Sequence, residues 1–289
     1  MKNSKEIIER IFEPQGDNGY WKVLSASDKY YPDLMHYSPV YKATLWTLIL
    51  LADLGCDRND ERTKKPLEAI QDHFFDPKFG IYSIKEDHFP IPCLNGNMIY
   101  LDCYFNGKPS EKSMMALAFF HKYQRFDDGA YEVAKNEFCS NTSCYGKHTC
   151  YWGIVKLLKG ISFIPKQSRT KEIADLLEGC IRFVLLHKAC YSSHNPEKIM
   201  VQKMDLLTFP NMYKSDFLEI LWLLKREGIM SEELKPAIQL LKSKRWEDGS
   251  WHLEREVHNM VASIGRLDKP NPFITRRAKE VLEYYEDYT

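Results

Sequence analysis

Four soft or borderline metal donors fall within the twelve-residue run CSNTSCYGKHTC: Cys139, Cys144, His148 and Cys150. Thiolates and imidazoles suit zinc, which takes such groups in a tetrahedron or keeps one position open for chemistry. The spacings of five, four and two match no finger or ribbon, so placement must supply what spacing does not. Cys93, in the segment Pro92-Cys93-Leu94-Asn95-Gly96-Asn97, is a further donor. His148 and Cys150 are the expected ligands of a possible Zn2+, with Cys93 and Cys144 filling the shell. The competing reading is inert, packed thiols and a capping histidine, because cysteine is among the most buried residue types. Cys190 and His194, beside His187, make a weaker second cluster. Cys56, Cys103 and Cys180 read as core.

A second set of residues suits a substrate cavity. His36, Tyr37 and Tyr41 precede one apolar helix, Asn95 and Asn97 enter another, and Tyr213 and Asp216 precede a third. Trp46, Trp152 and Trp222 lie within the helices that follow. Aromatic faces can line a pocket for an isoprenoid chain or steady a carbocation through their quadrupoles. The same residues also serve as N-caps and core, since Asn and Asp start helices well. No catalytic triad, glycine-rich phosphate loop or paired-carboxylate motif is evident.

The elements that must position these groups are helices of two alternating kinds. Phe217–Leu224 reads FLEILWLL, apolar nearly all round, and must be covered on most sides. Ser231–Lys242 carries only a one-sided stripe at Leu234, Ala237, Ile238, Leu240 and Leu241. Cys150–Leu158 with Ile173–Leu186, and Ala43–Leu51 with Leu67–Phe74, repeat the pattern; Met98–Phe105 with Met114–Phe120 is a shorter version. Three segments end in similar turns, at Phe75–Gly80, Gln124–Gly129 and Arg245–Trp251, with glycines spaced by one and two periods of roughly 50–60 residues. Ser4–Phe12 and Pro272–Tyr285 read as halves of one more unit.

A buried helix alternating with an amphipathic one predicts an inner ring sheathed by an outer ring, all-α, as a single α/α toroid over residues 1–289 with about five to six helix pairs. The alternative is an open array of helical hairpins. Parallel inner helices would aim their N-termini at one mouth, where their dipoles favour anions and lower thiol pKa values. No segment shows convincing period-2 alternation.

Composition narrows the function classes. Lys and Arg number 40 against 40 Asp and Glu, so there is no electrostatic case for nucleic acid. Aromatics reach 13% of residues, which suits a lined interior. Met1–Phe12 lacks the apolar core of a signal peptide. The longest apolar run, Ala43–Ala52, is far short of the roughly 20 residues a bilayer requires. The protein is therefore expected to be cytoplasmic, with free thiols.

The turns carry a family resemblance. His121–Tyr131 keeps Gln124, Asp128 and Gly129, and Lys244–Trp251 keeps Asp248, Gly249 and Trp251, which resembles the Gln–Trp turn of the prenyltransferase and squalene oxidase repeat. The resemblance to terpenoid cyclases and protein prenyltransferases implies an α/α toroid around a central cavity. It also implies a small apolar molecule or prenyl diphosphate as partner. His148-Thr149-Cys150-Tyr151 resembles the stretch holding the zinc-binding histidine of prenyltransferase β subunits, whereas Asp102-Cys103 is adjacent rather than spaced as their Asp-x-Cys pair. The acidic DxDD cluster of squalene–hopene cyclases has no counterpart. Two function classes follow: an isoprenoid-handling enzyme, zinc-assisted if the cluster binds metal, or a non-catalytic toroid that binds or scaffolds. A polysaccharide lyase on the same architecture would need a basic groove that this charge balance does not favour.

Overall fold

The computed structural model describes residues 4–84, 89–129, 142–145 and 148–286; Cys139 lies outside them. The described chain is mainly helical. In order it runs α1 (Ser4–Phe12), α2 (Thr44–Leu54), α3 (Glu61–Phe74), α4 (Pro92–Asn106), α5 (Glu111–Tyr123), α6 (Thr142–Tyr145), α7 (Tyr151–Ser162), α8 (Lys171–Leu186), α9 (Phe217–Glu227), α10 (Lys235–Ser243) and α11 (Pro272–Tyr284). The only named strands among the described residues are β1 (Phe75–Asp76) and β2 (Ile81–Tyr82), paired antiparallel with Phe75 opposite Tyr82. No helix among the described residues is long and apolar enough to cross a membrane.

Two compact units emerge, Met1–Leu176 with His258–Ser263, and Leu177–Val257 with Ile264–Thr289. In the first, the alternation of helix types is plain. Every residue of α2 is buried, and α4 buries all but Cys93 and Asn106. The helix that follows each, α3 and then α5, buries one face. Local chemistry sets the boundaries. Asp60 and Ser110 cap α3 and α5 by accepting backbone N–H groups, and Gly55 and Gly107 close α2 and α4 in the left-handed region.

The buried helices of this unit run parallel. Toward their C-terminal ends, Asp53 of α2 meets both Tyr100 of α4 and Lys159 of α7. Toward the other end, a Cβ added to Gly153 of α7 would lie 2.7 Å from Pro92 of α4. Between these points the two backbones touch: a Cβ on Gly96 would fall 2.2 Å from the carbonyl carbon of Lys156, and one on Gly160 would fall 2.7 Å from the Gly96 carbonyl oxygen. Only glycine permits so close a crossing.

In the second unit α9 and α11 are also parallel neighbours. Trp222 donates to Glu280, and beyond it Tyr285 donates to the Ile229 carbonyl, so both C-terminal ends lie together. Asp216 and Asn271 cap the two helices.

The turn at the end of α10 is closed by Asp248, which accepts from the Ser250 amide and hydroxyl, and by Gly249 at φ +77°. Trp251 anchors it by donating to the Leu241 carbonyl at 2.8 Å. The same geometry recurs in the first unit. After α1, Gln15-Gly16-Asp17-Asn18-Gly19-Tyr20-Trp21 places Gly19 at φ +82°, and Trp21 donates to the Ile11 carbonyl at 2.7 Å. Gln15 donates both to the Gly19 carbonyl and to that of Arg62 at the start of α3.

Candidate functional site

Cys150 stands at the N-cap of α7 with extended backbone. The Cys144 thiol donates a hydrogen bond to it, and the Trp152 and Gly153 amides face its sulfur. A sulfur ringed by donors at a helix start favours the thiolate. The Cys144 bond, ahead of the two amides and against the opposing effect of burial, lowers the Cys150 pKa. Cys144 moves far upward, because losing its proton breaks that same bond and puts a second charge beside the first. Burial, and then the Cys150 charge, push Cys93 to about 12. The structure therefore gathers Cys93, Cys144 and Cys150 at the adjoining starts of α4 and α7.

His148 turns elsewhere. Its exposed ring places Nδ1 3.3 Å from an Asp128 carboxylate oxygen and lies against Gly129, where a Cβ would be 2.5 Å from Cε1. No three of Cys93, Cys144, His148 and Cys150 bring their donor atoms within 4.8 Å of one another. Zinc holds sulfur and nitrogen ligands at about 2.0–2.3 Å, so tetrahedral donors stand within about 4 Å of one another. As placed, the four residues do not fit the zinc site expected from the sequence. Asp102 is no substitute ligand: it accepts from Gln71, Asn106, the Ser110 amide and the Ser113 hydroxyl, and so ties α4 to α3 and α5.

Of the cavity residues, His36, Tyr37 and Trp46 meet around the start of α2. The Trp46 indole donates to the Tyr37 carbonyl, and its ring meets those of Tyr37 and Tyr41 edge-on. His36 is buried, 3.2 Å from the Thr44 hydroxyl and edge-on to Tyr20 and His73. Burial, reinforced by His73, lowers its pKa to about 4, so it is neutral near pH 7. Asn95 is spent on structure: it accepts from the Tyr82 amide and donates to the Tyr82 and Ile91 carbonyls. Asn97, 1% exposed, keeps a buried side-chain oxygen with no hydrogen-bond partner among the described residues. Trp152 is half-buried in the first turn of α7.

Tyr213, Asp216 and Trp222 belong to the second unit. Asp216 accepts from the Thr208 and Glu219 amides, and burial drives its carboxyl upward against those bonds. The half-buried Trp222 lies under the Arg277 guanidinium, 4.6 Å from the ring centroid, with Arg226 at 5.2 Å. Its π-system already faces a cation. Tyr213 is half-buried.

Sequence reasoning missed the most buried charges. Lys159 and Asp53 form an ion pair at 2.8 Å with side chains 1% and 2% exposed. Tyr100 donates to the same carboxylate oxygen and presents its ring 4.2 Å from the ammonium. Lys156, one turn earlier, and Glu219 are also fully buried. The available signal was a charge inside an otherwise apolar helix, as in GIVKLLKGI and LLADL.

No family model and no curated protein matches the sequence. Among solved structures, the chain is similar to a variant of the type II terpene cyclase MstE from Scytonema in complex with geranylgeranyl dihydroxybenzoate. The TM-score is 0.51 at 11% identity, over 98% of this chain and 72% of that one. The apo form of the same cyclase aligns with TM-score 0.34 at 11% identity over the whole of both chains, too low a score to carry weight. At such identity the first match speaks for a terpene cyclase-like fold and not for an activity.

Proposed function

We propose that the chain is an α/α toroid of the terpenoid cyclase and prenyltransferase type that binds an isoprenoid-type molecule in the space enclosed by its inner helices. The observation that carries this reading is the parallel set α2, α4 and α7, buried on nearly every face and each followed by a helix with one apolar stripe. The fold likeness across 98% of the chain supports it. Parallel helices present their N-termini together, which suits a polar or anionic head group, while apolar and aromatic side chains receive the polyprenyl tail. The cyclase of similar fold was captured with a geranylgeranylated aromatic acid, and a ligand of that class is the one proposed here.

One set of observations favours binding without cyclisation. The polar residues nearest the helix starts serve structure: Asn95 ties α4 to β2, Asp216 caps α9, and no DxDD cluster supplies a strong acid.

Titration calorimetry with geranylgeranyl dihydroxybenzoate, geranylgeranyl diphosphate and geranylgeraniol tests the proposal. Saturable binding of at least one, with Kd below about 100 μM, is expected. No heat from any of the three at that concentration overturns it. Product analysis of the same mixtures by gas chromatography and mass spectrometry separates the two classes: unchanged ligand supports a binding protein, and a cyclised or transferred prenyl group supports an enzyme.

A further inference from the structure

We propose that Cys144 and Cys150 are a reversible oxidation site, joined as a disulfide when the chain meets a hydroperoxide. The inference rests on their placement and holds whether or not the protein binds prenyl groups.

Tyr145 and Thr149 form an isolated antiparallel bridge, and one step outward the Cys150 amide donates to the Cys144 carbonyl. The two cysteines are therefore backbone neighbours, joined by one hydrogen bond of 3.4 Å. A backbone hydrogen bond between two residues holds their Cα atoms about 5–6 Å apart, within the common range for disulfides. The charge of either thiol acts on the other, as that proximity requires. Neither residue is fully buried, whereas Cys56, Cys103, Cys180 and Cys190 are. Cys150, at the N-cap of α7 where the helix start favours a thiolate, is the nucleophile, and Cys144 is the resolving thiol.

The chemistry balances in two steps. The Cys150 sulfur attacks the terminal oxygen of the hydroperoxide; the O–O bond breaks, an alcohol (or water) leaves, and Cys150 becomes a sulfenic acid. The Cys144 sulfur then attacks Cys150; the S–S bond forms, the S–O bond breaks, and the hydroxyl leaves as water with the Cys144 proton. Two thiols lose two electrons and the peroxide gains them. A thiol reductant reverses the link.

The test is to treat the reduced full chain with tert-butyl hydroperoxide, alkylate, and digest with trypsin without reduction. Cleavage after Lys147 separates the two cysteines, and a Cys139→Ser background leaves Cys144 as the lone thiol of its peptide. A Cys144–Cys150 linked peptide, lost on dithiothreitol treatment, is expected. It should form at least about tenfold faster than Cys103 or Cys180 is oxidised. In Cys144→Ser, Cys150 should instead be trapped by dimedone as the sulfenic acid. A Cys93–Cys150 link, oxidation of Cys150 to sulfinic acid with Cys144 still reduced, or a rate no greater than that of Cys180 would overturn the proposal. If a variant fails to fold, fragmentation of the wild-type linked peptide decides the matter by placing the link on Cys144 rather than Cys139.

Discussion

The most buried charges of the first unit are spent on one another. The Lys159–Asp53 pair, with Tyr100 on the same oxygen, links α7, α2 and α4 at their C-terminal ends. Removing one partner strands a charge away from water, which typically costs about 3–5 kcal/mol, whereas replacing both with apolar groups of similar size is often neutral. Lys159→Met is expected to lower unfolding stability by that amount in urea titrations, and Asp53→Leu combined with Lys159→Met to recover most of it. His36 gives a pH signature. Its folded pKa of about 4 lies below the ordinary 6.5, so between those values the unfolded chain holds the extra proton. Stability from this site is complete above pH 6.5 and lost as pH falls toward 4, on the order of 2–4 kcal/mol in all. His36→Gln should flatten the stability slope across pH 4–6.5; an unchanged slope would place the titration elsewhere.

Helices are held by two devices, a close crossing and an indole-anchored turn. Gly96 and Gly160 let the α4 and α7 backbones touch, and a methyl at Gly96 meets main-chain atoms that cannot swing away. Gly96→Ala is expected to cost at least about 3 kcal/mol or to prevent folding. Gly55→Ala, whose Cβ meets nothing within 4 Å, carries only the strain of its left-handed backbone, about 1 kcal/mol. Circular dichroism melts of the two variants make the comparison. The helices and their buried or striped character were legible in the sequence because periodicity and composition encode burial directly. The glycines were visible as letters, but nothing along the chain says which backbone lies against them. The Gln15–Trp21 turn was legible too, as a Gln, an Asn-Gly pair and a closing Trp. What it joins, the end of α1 and the start of α3, meets only in the fold.

For the whole molecule, the proposed ligand should act as a stabiliser. A prenylated aromatic acid at one hundred times its Kd adds about 2.7 kcal/mol to the folded state, read as a rise of several degrees in Tm; no shift at saturation would contradict the binding proposal. The sequence by itself determined a mainly helical chain, the alternation of buried and striped helices, most of their boundaries, and a cysteine-rich entry to α7. Those features are local, written in hydrophobic period and capping chemistry. Only the tertiary structure decided which donors face each other. His148 lies two residues from Cys150, yet its ring meets Asp128, while Cys93, more than fifty residues away in sequence, is brought to the same helix start. Metal binding and thiol chemistry depend on distances of a few ångströms between side chains, and sequence spacing does not fix those distances until the backbone has folded.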